Sequence, residues 1–107
     1  WNVLERENAA SGLGVTHTAD LSSIWGSSNP PESALIPTIQ GYWTSFIRSY
    51  DPNKYKIDES PVWESFSFDH LQRLHLTSLN NVSMENIQDD QKKKCDYFSE
   101  QSRSLSM

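Results

Sequence analysis

Three histidines, His17, His70 and His75, carry the side chains in this sequence best suited to proton transfer near pH 7. Their settings differ. His75 lies between Leu74 and Leu76 in an alternating stretch, Leu71 to Leu76. That pattern predicts a short strand with the leucines buried and Arg73 and His75 outward. His70 falls in a polar loop or at a strand edge. His17 follows Gly12-Leu13-Gly14-Val15-Thr16 and precedes Asp20 and a short apolar turn. Glycines allow backbone angles that other residues avoid, and loops on rigid scaffolds are where catalytic groups concentrate. His17 is therefore the candidate acid–base group, although loop context by itself does not assign it a reaction. Three scattered histidines and one cysteine lack zinc-ligand spacing, so neither metal nor cofactor is expected.

Two further residues could take a covalent modification. Cys95 is the single cysteine. Alone it reads as a small buried hydrophobe or an unpaired thiol. In a secreted chain it would instead point to a partner cysteine elsewhere. Asn81-Val82-Ser83 is an N-glycosylation sequon.

The elements that must position these residues are legible in part. Trp1 to Leu4 alternates and could end a strand. Asn8 to Gly14 reads as a loop. Ala19 to Trp25 predicts a helical turn stopped by Gly26, followed by a loop from Ser27 to Pro31. Leu35, Ile39, Tyr42, Trp43, Phe46, Ile47 and Tyr50 recur at helical spacing and predict an amphipathic core helix. Pro37 suits its first turn, and Asp51-Pro52-Asn53 stops it. Ser60 to Phe68 is an aromatic-rich loop. Ser78 to Ser83 reads as a turn, Asp89 to about Ser99 as a helix, and 99–107 as a polar tail expected to be disordered. Trp25, Trp43 and Trp63 are expected as packing anchors.

Composition narrows the function classes. Apolar residues make up 36% of the 107, and the four glycines raise this only to about 40%. A self-sufficient globular domain carries roughly 45–50%. Yet there are four Trp, four Tyr and four Phe, which need a substantial core. The chain also begins with Trp rather than Met. Together these features lead to the expectation of one side of a larger core. The net charge of −5 argues against nucleic acid as a partner. Lys92-Lys93-Lys94, close behind Asp89-Asp90, reads as a solvated helix face. No run approaches the roughly 18 apolar residues of a membrane span.

Several segments resemble one family. Gly14-Val15-Thr16-His17-Thr18-Ala19-Asp20-Leu21, running on to Ile24-Trp25-Gly26, resembles the catalytic-histidine segment of the type-B carboxylesterase/lipase family. That family includes cholinesterases and secreted fungal lipases. Tyr42-Trp43-Thr44-Ser45-Phe46 with Asp51-Pro52-Asn53 resembles its late helix and stop. Pro61-Val62-Trp63 with Phe66 resembles the cluster that follows, Leu74-His75-Leu76 the last strand, and Cys95-Asp96-Tyr97-Phe98 the terminal segment. Order and spacing agree over about residues 1–98.

The resemblance implies the C-terminal portion of an α/β-hydrolase fold, comprising histidine loop, amphipathic helix, last strand and terminal helix, incomplete as a domain. It implies that His17 is the catalytic base of a Ser-His-Asp/Glu triad whose other members lie upstream, in the chain order usual for this fold. Asp20 would support the histidine loop, and Cys95 would pair with a cysteine outside the chain. Thr18 and Leu21 would approach the substrate pocket. The parent protein would be a secreted carboxylesterase or lipase acting on small-molecule or lipid esters, and its remainder would be the partner of this chain. The chain alone would be inactive. The other class is a silent, cholinesterase-like adhesion protein, for which the presence of His17 is unfavourable.

Overall fold

The computed structural model describes residues 1, 3, 6–27, 32–77 and 81–106. Helix α1 spans Arg6–Ser11 and α2 spans Leu21–Ile24. A 3-10 turn, Glu32–Leu35, leads into α3, Ile36–Ser49. Strands β1, Gln72–Thr77, and β2, Asn81–Asn86, form an antiparallel hairpin, and α4 covers Asp89–Leu105.

Helix α3 starts where the sequence predicts, with Pro37 in its first turn. The apolar stripe, however, is wider than the buried face. Leu35, Ile39 and Tyr42 are almost solvent-free, together with Val3, and Leu74 and Leu76 of β1 close the cluster. Trp43 and Ile47 stand about 100° and 140° around the helix from Tyr42, at ~100° per residue. They are exposed, as are Phe46 and Tyr50. Trp63 meets Tyr42 edge-on at 5.4 Å and so acts as the expected anchor. Trp25 does not, because it is 79% exposed.

The hairpin register pairs Leu74 with Met84 and Leu76 with Val82, all toward the core. Asn81 to Ser83, expected as part of a turn, are the start of β2. Ser78, Leu79 and Asn80 lie outside the described residues. Val82 and Met84 do alternate with polar neighbours, but Asn at both strand ends and serine inside carry weak β preference. His75 is only half exposed, since its Nδ1 lies 3.0 Å from Glu85 Oε2, and Arg73 Nε donates to Glu85 Oε1 at 2.6 Å. That Arg73 bond, with the nearby His75, holds the Glu85 carboxyl below its ordinary range. Of the expected strand end at Trp1–Leu4, Trp1 and Val3 are described and lie in no strand. Asn2 and Leu4 lie outside the described residues.

Asn8 to Ser11, expected as loop, belong to α1, where Ala9 and Ala10 favour helix. Helix α4 likewise continues past Ser99 to Leu105, through most of the stretch expected as a disordered tail. Its charges explain this. Asp89 and Asp90 sit in the first turn, against the helix dipole. Lys92 reaches Asp96 at 2.5 Å across one turn, and Gln101, Arg103 and Leu105 are good helix formers. None of its side chains is buried. The radius of gyration is 16.2 Å, against about 13 Å for a compact domain of this length.

Candidate active site

His17 lies on the segment between α1 and α2, and both helices end in the same way. The Gly12 N–H reaches the Ala9 carbonyl at 3.3 Å and the Leu13 N–H reaches that of Asn8 at 3.0 Å. At the end of α2, the Gly26 N–H bonds the Ser23 carbonyl at 3.3 Å and the Ser27 N–H that of Ser22 at 2.7 Å. Each pair is a Schellman cap, which needs a left-handed residue after the helix. Gly12 and Gly26 supply it with φ of 74° and 77°. At Gly26 a side chain would also press on Gln40, with a Cβ only 3.2 Å from Nε2. That amide donates to the Ile24 carbonyl at 3.1 Å and ties α2 to α3.

Between these stops the chain makes two successive turns. The Ala19 N–H bonds the Thr16 carbonyl at 3.3 Å, and the Leu21 N–H bonds the Thr18 carbonyl at 3.1 Å. His17 and Thr18 are the two central residues of the first turn. His17 is exposed there, while Ala19 is buried and anchors the far side. Asn8 of α1 reaches across with its Nδ2 to Thr16 Oγ1 at 3.4 Å.

An open cavity of about 440 Å³ adjoins the imidazole. Asn8, Thr16, Thr18, Ser22 and Ser27 give it a polar rim, and Leu21 adds an apolar wall. Asn8, Ser22 and Ser27 were not singled out by the sequence. Their only signal is a polar residue near each glycine stop. A larger groove, about 540 Å³, runs along α3 between Trp43, Phe46, Ile47, Pro52 and Trp63. Its one titratable group, the Tyr42 hydroxyl, donates to the Pro61 carbonyl at 2.6 Å.

The structure distributes the other expected residues widely. Asp20 takes the N-cap position of α2, and its carbonyl receives the Ile24 N–H at 3.0 Å. Its carboxylate makes no cap bond. Cys95 is an exposed, free thiol on α4. Asn81 is exposed at the start of β2, on the outward side with Ser83. His70 closes a small loop by two backbone bonds with Ser67, at 3.0 and 3.1 Å. His17 and Asp20 thus share one segment, whereas Cys95, Asn81, His70 and His75 lie elsewhere. Among the described residues, no three of His, Cys, Asp or Glu gather as a metal site.

The fold has counterparts among known proteins. The solved structure of Aspergillus niger EstA superposes with a TM-score of 0.76 at 27% identity, covering 92% of this chain and 21% of EstA. The described helices and two-stranded hairpin are thus similar to a portion of an α/β-hydrolase. In sequence, the chain is 29% identical over 63 residues to secreted lipase 4 of Gibberella zeae. That match takes in 59% of this chain and 11% of the lipase. The chain therefore spans a small part of each relative's length. No protein-family model matches it. Among the described residues, no helix is long and apolar enough to cross a membrane.

Proposed function

We propose that this chain is the C-terminal part of a secreted carboxylic ester hydrolase of the type-B carboxylesterase/lipase kind, and that His17 is its catalytic base. The observation that carries the reading is the display of His17 on the corner of a turn, beside an open cavity and between two capped helices. Similarity to a lipase and to EstA supports the chemistry. The many exposed aromatics, Trp43, Phe46, Tyr97 and Phe98 among them, support a larger parent whose remainder covers them.

In that parent the His17 imidazole takes the proton of a serine hydroxyl as its oxygen attacks the ester carbonyl. The imidazolium then gives that proton to the departing alcohol. In the second half, His17 deprotonates water, which attacks the acyl-enzyme and releases the acid. A carboxylate from upstream fixes the imidazole tautomer, and Asp20 steadies the loop as the cap residue of α2. Thr18 and Leu21 border the pocket. Cys95, exposed as it is, pairs with an upstream cysteine, and Asn81 accepts a glycan. By this reading residues 1–107 alone do not turn over esters.

A serine-directed fluorophosphonate probe tests the proposal on the full-length parent. Covalent labelling of one serine, reduced in the His17→Gln variant, is the expected result. Absence of labelling in the folded wild-type parent would instead favour the silent adhesion reading.

A further inference from the structure

Among the described residues only Thr18 and Tyr50 have positive φ without being glycine, at 67° and 58°. Tyr50 closes a helix, where a left-handed residue is common. Thr18 is β-branched, the side-chain type least tolerant of that region, and it immediately follows His17.

The turn geometry gives this strain a consequence. With the Ala19 N–H on the Thr16 carbonyl at 3.3 Å, Thr18 holds the third position of a four-residue turn. Positive φ there, with none at His17, is the type II arrangement, which favours Gly or Asn at that place. The alternative type I turn differs by about 150° in ψ of the second residue and about 170° in φ of the third. His17 is the second residue. Exchange between the two turn types flips the peptide that follows His17 while its Cα–Cβ bond stays nearly in place, and the new ψ changes which imidazole rotamers are free of clash. The ends of the turn are held by buried Ala19, by the Leu21 N–H on the Thr18 carbonyl at 3.1 Å, and by Asn8 on Thr16 at 3.4 Å. The central peptide is thus the part left to choose between the two states.

We propose that Thr18 is a positioning residue: its left-handed backbone, not its hydroxyl, aims His17 into the adjoining cavity. The proposal rests on the reading of His17 as the proton-transfer group.

The test uses the full-length parent with Thr18→Gly, Thr18→Val and Thr18→Pro, and with His17→Gln as reference. Readouts are kcat and KM for a p-nitrophenyl ester and the acid limb of kcat/KM against pH. Proline cannot adopt positive φ. Thr18→Pro is expected to lower kcat about 100-fold or more, as small misplacements of a catalytic group do. Its KM should stay within about threefold by the same logic, and its acid limb should move. Glycine adopts the left-handed turn freely, and valine keeps the β-branched shape of threonine while losing the hydroxyl. Each should lose less than about tenfold in kcat, far less than proline, with the acid limb in place and KM free to change at the pocket edge. A valine loss as large as that of proline would assign the effect to the hydroxyl and overturn the proposal. So would a more than tenfold loss with glycine, or a folded proline variant with wild-type kcat. If Thr18→Pro does not fold, as judged by its thermal melt, the glycine and valine pair decides. Should His17→Gln keep full turnover, the underlying reading fails. If His17→Gln is inactive while Thr18→Pro is active, only the present proposal fails.

Discussion

The His17 turn and the turn that follows α3 each hold one non-glycine residue in left-handed backbone, but they are secured very differently. Around Tyr50, side chains take over the backbone polar groups. The buried Ser45 hydroxyl donates to the Asp51 carbonyl at 2.6 Å and accepts from the Tyr55 N–H at 2.9 Å. Asp51 Oδ1 accepts the Asn53 N–H at 2.8 Å, and the Asn53 amide bridges both the N–H and the carbonyl of Trp63, at 2.6 and 3.0 Å. Around Thr18, among the described residues, the turn is closed by two backbone bonds and crossed by one long, exposed side-chain bond. The first region is scaffold, with its cost in strain offset by buried hydrogen bonds. The second presents a side chain to solvent, with strain of about 1–3 kcal/mol that its own local contacts hardly offset. On the reading proposed for His17, this thinly supported strain belongs to a segment where function has priority over stability.

This contrast can be broken at its strong end first. Asn53→Ala removes both bonds to the Trp63 backbone and leaves half-buried groups unsatisfied. It should cost about 2–3 kcal/mol in urea unfolding. A cost below ~0.5 kcal/mol would mean that the Asp51–Asn53 turn is not scaffold.

Tyr42 offers a second, smaller handle. Burial raises the pKa of its phenol above the ordinary 10.0, against a lesser lowering by Ser60. The folded state therefore keeps the proton longer than the unfolded chain. The stabilisation is complete below about pH 10 and fades as pH rises through the higher folded value. Tyr42→Phe should cost about 1 kcal/mol at neutral pH, the worth of the bond to Pro61. It should also flatten the loss of stability on the alkaline side. An unchanged alkaline limb in thermal melts would remove Tyr42 from the account.

The smallest effect belongs to the weak end. Asn8→Ala deletes an exposed bond of 3.4 Å and should change stability by less than about 0.5 kcal/mol. Denaturant unfolding reads this directly, and a cost near that of Asn53→Ala would erase the distinction between the two regions.

What the sequence makes legible follows from which physical signals are local. The period of α3 and the stop at Asp51-Pro52-Asn53 are visible because side-chain spacing and proline sterics act within a few residues. The leucine alternation of β1 is visible for the same reason. Strand β2 is hidden, since Val82 and Met84 become a buried face only when paired with Leu76 and Leu74. The half-covered state of His75 is hidden with it, because Glu85 arrives from that partner strand. Trp43 and Phe46 carry the right periodicity, yet stand off the buried face. Periodicity reports an apolar stripe, not what covers it. At the candidate site, His17 and the glycine stops are readable, but nothing in a threonine announces positive φ at Thr18. Only the assembled turn shows it.

The central claim is that one imidazole moves the proton in ester hydrolysis. Its most direct test is the turnover of a p-nitrophenyl ester by the full-length parent carrying His17→Gln. The account predicts a fall in kcat on the order of 10⁴–10⁶-fold, with the fold retained by circular dichroism. Hydrolysis at the wild-type rate by the folded variant would contradict it.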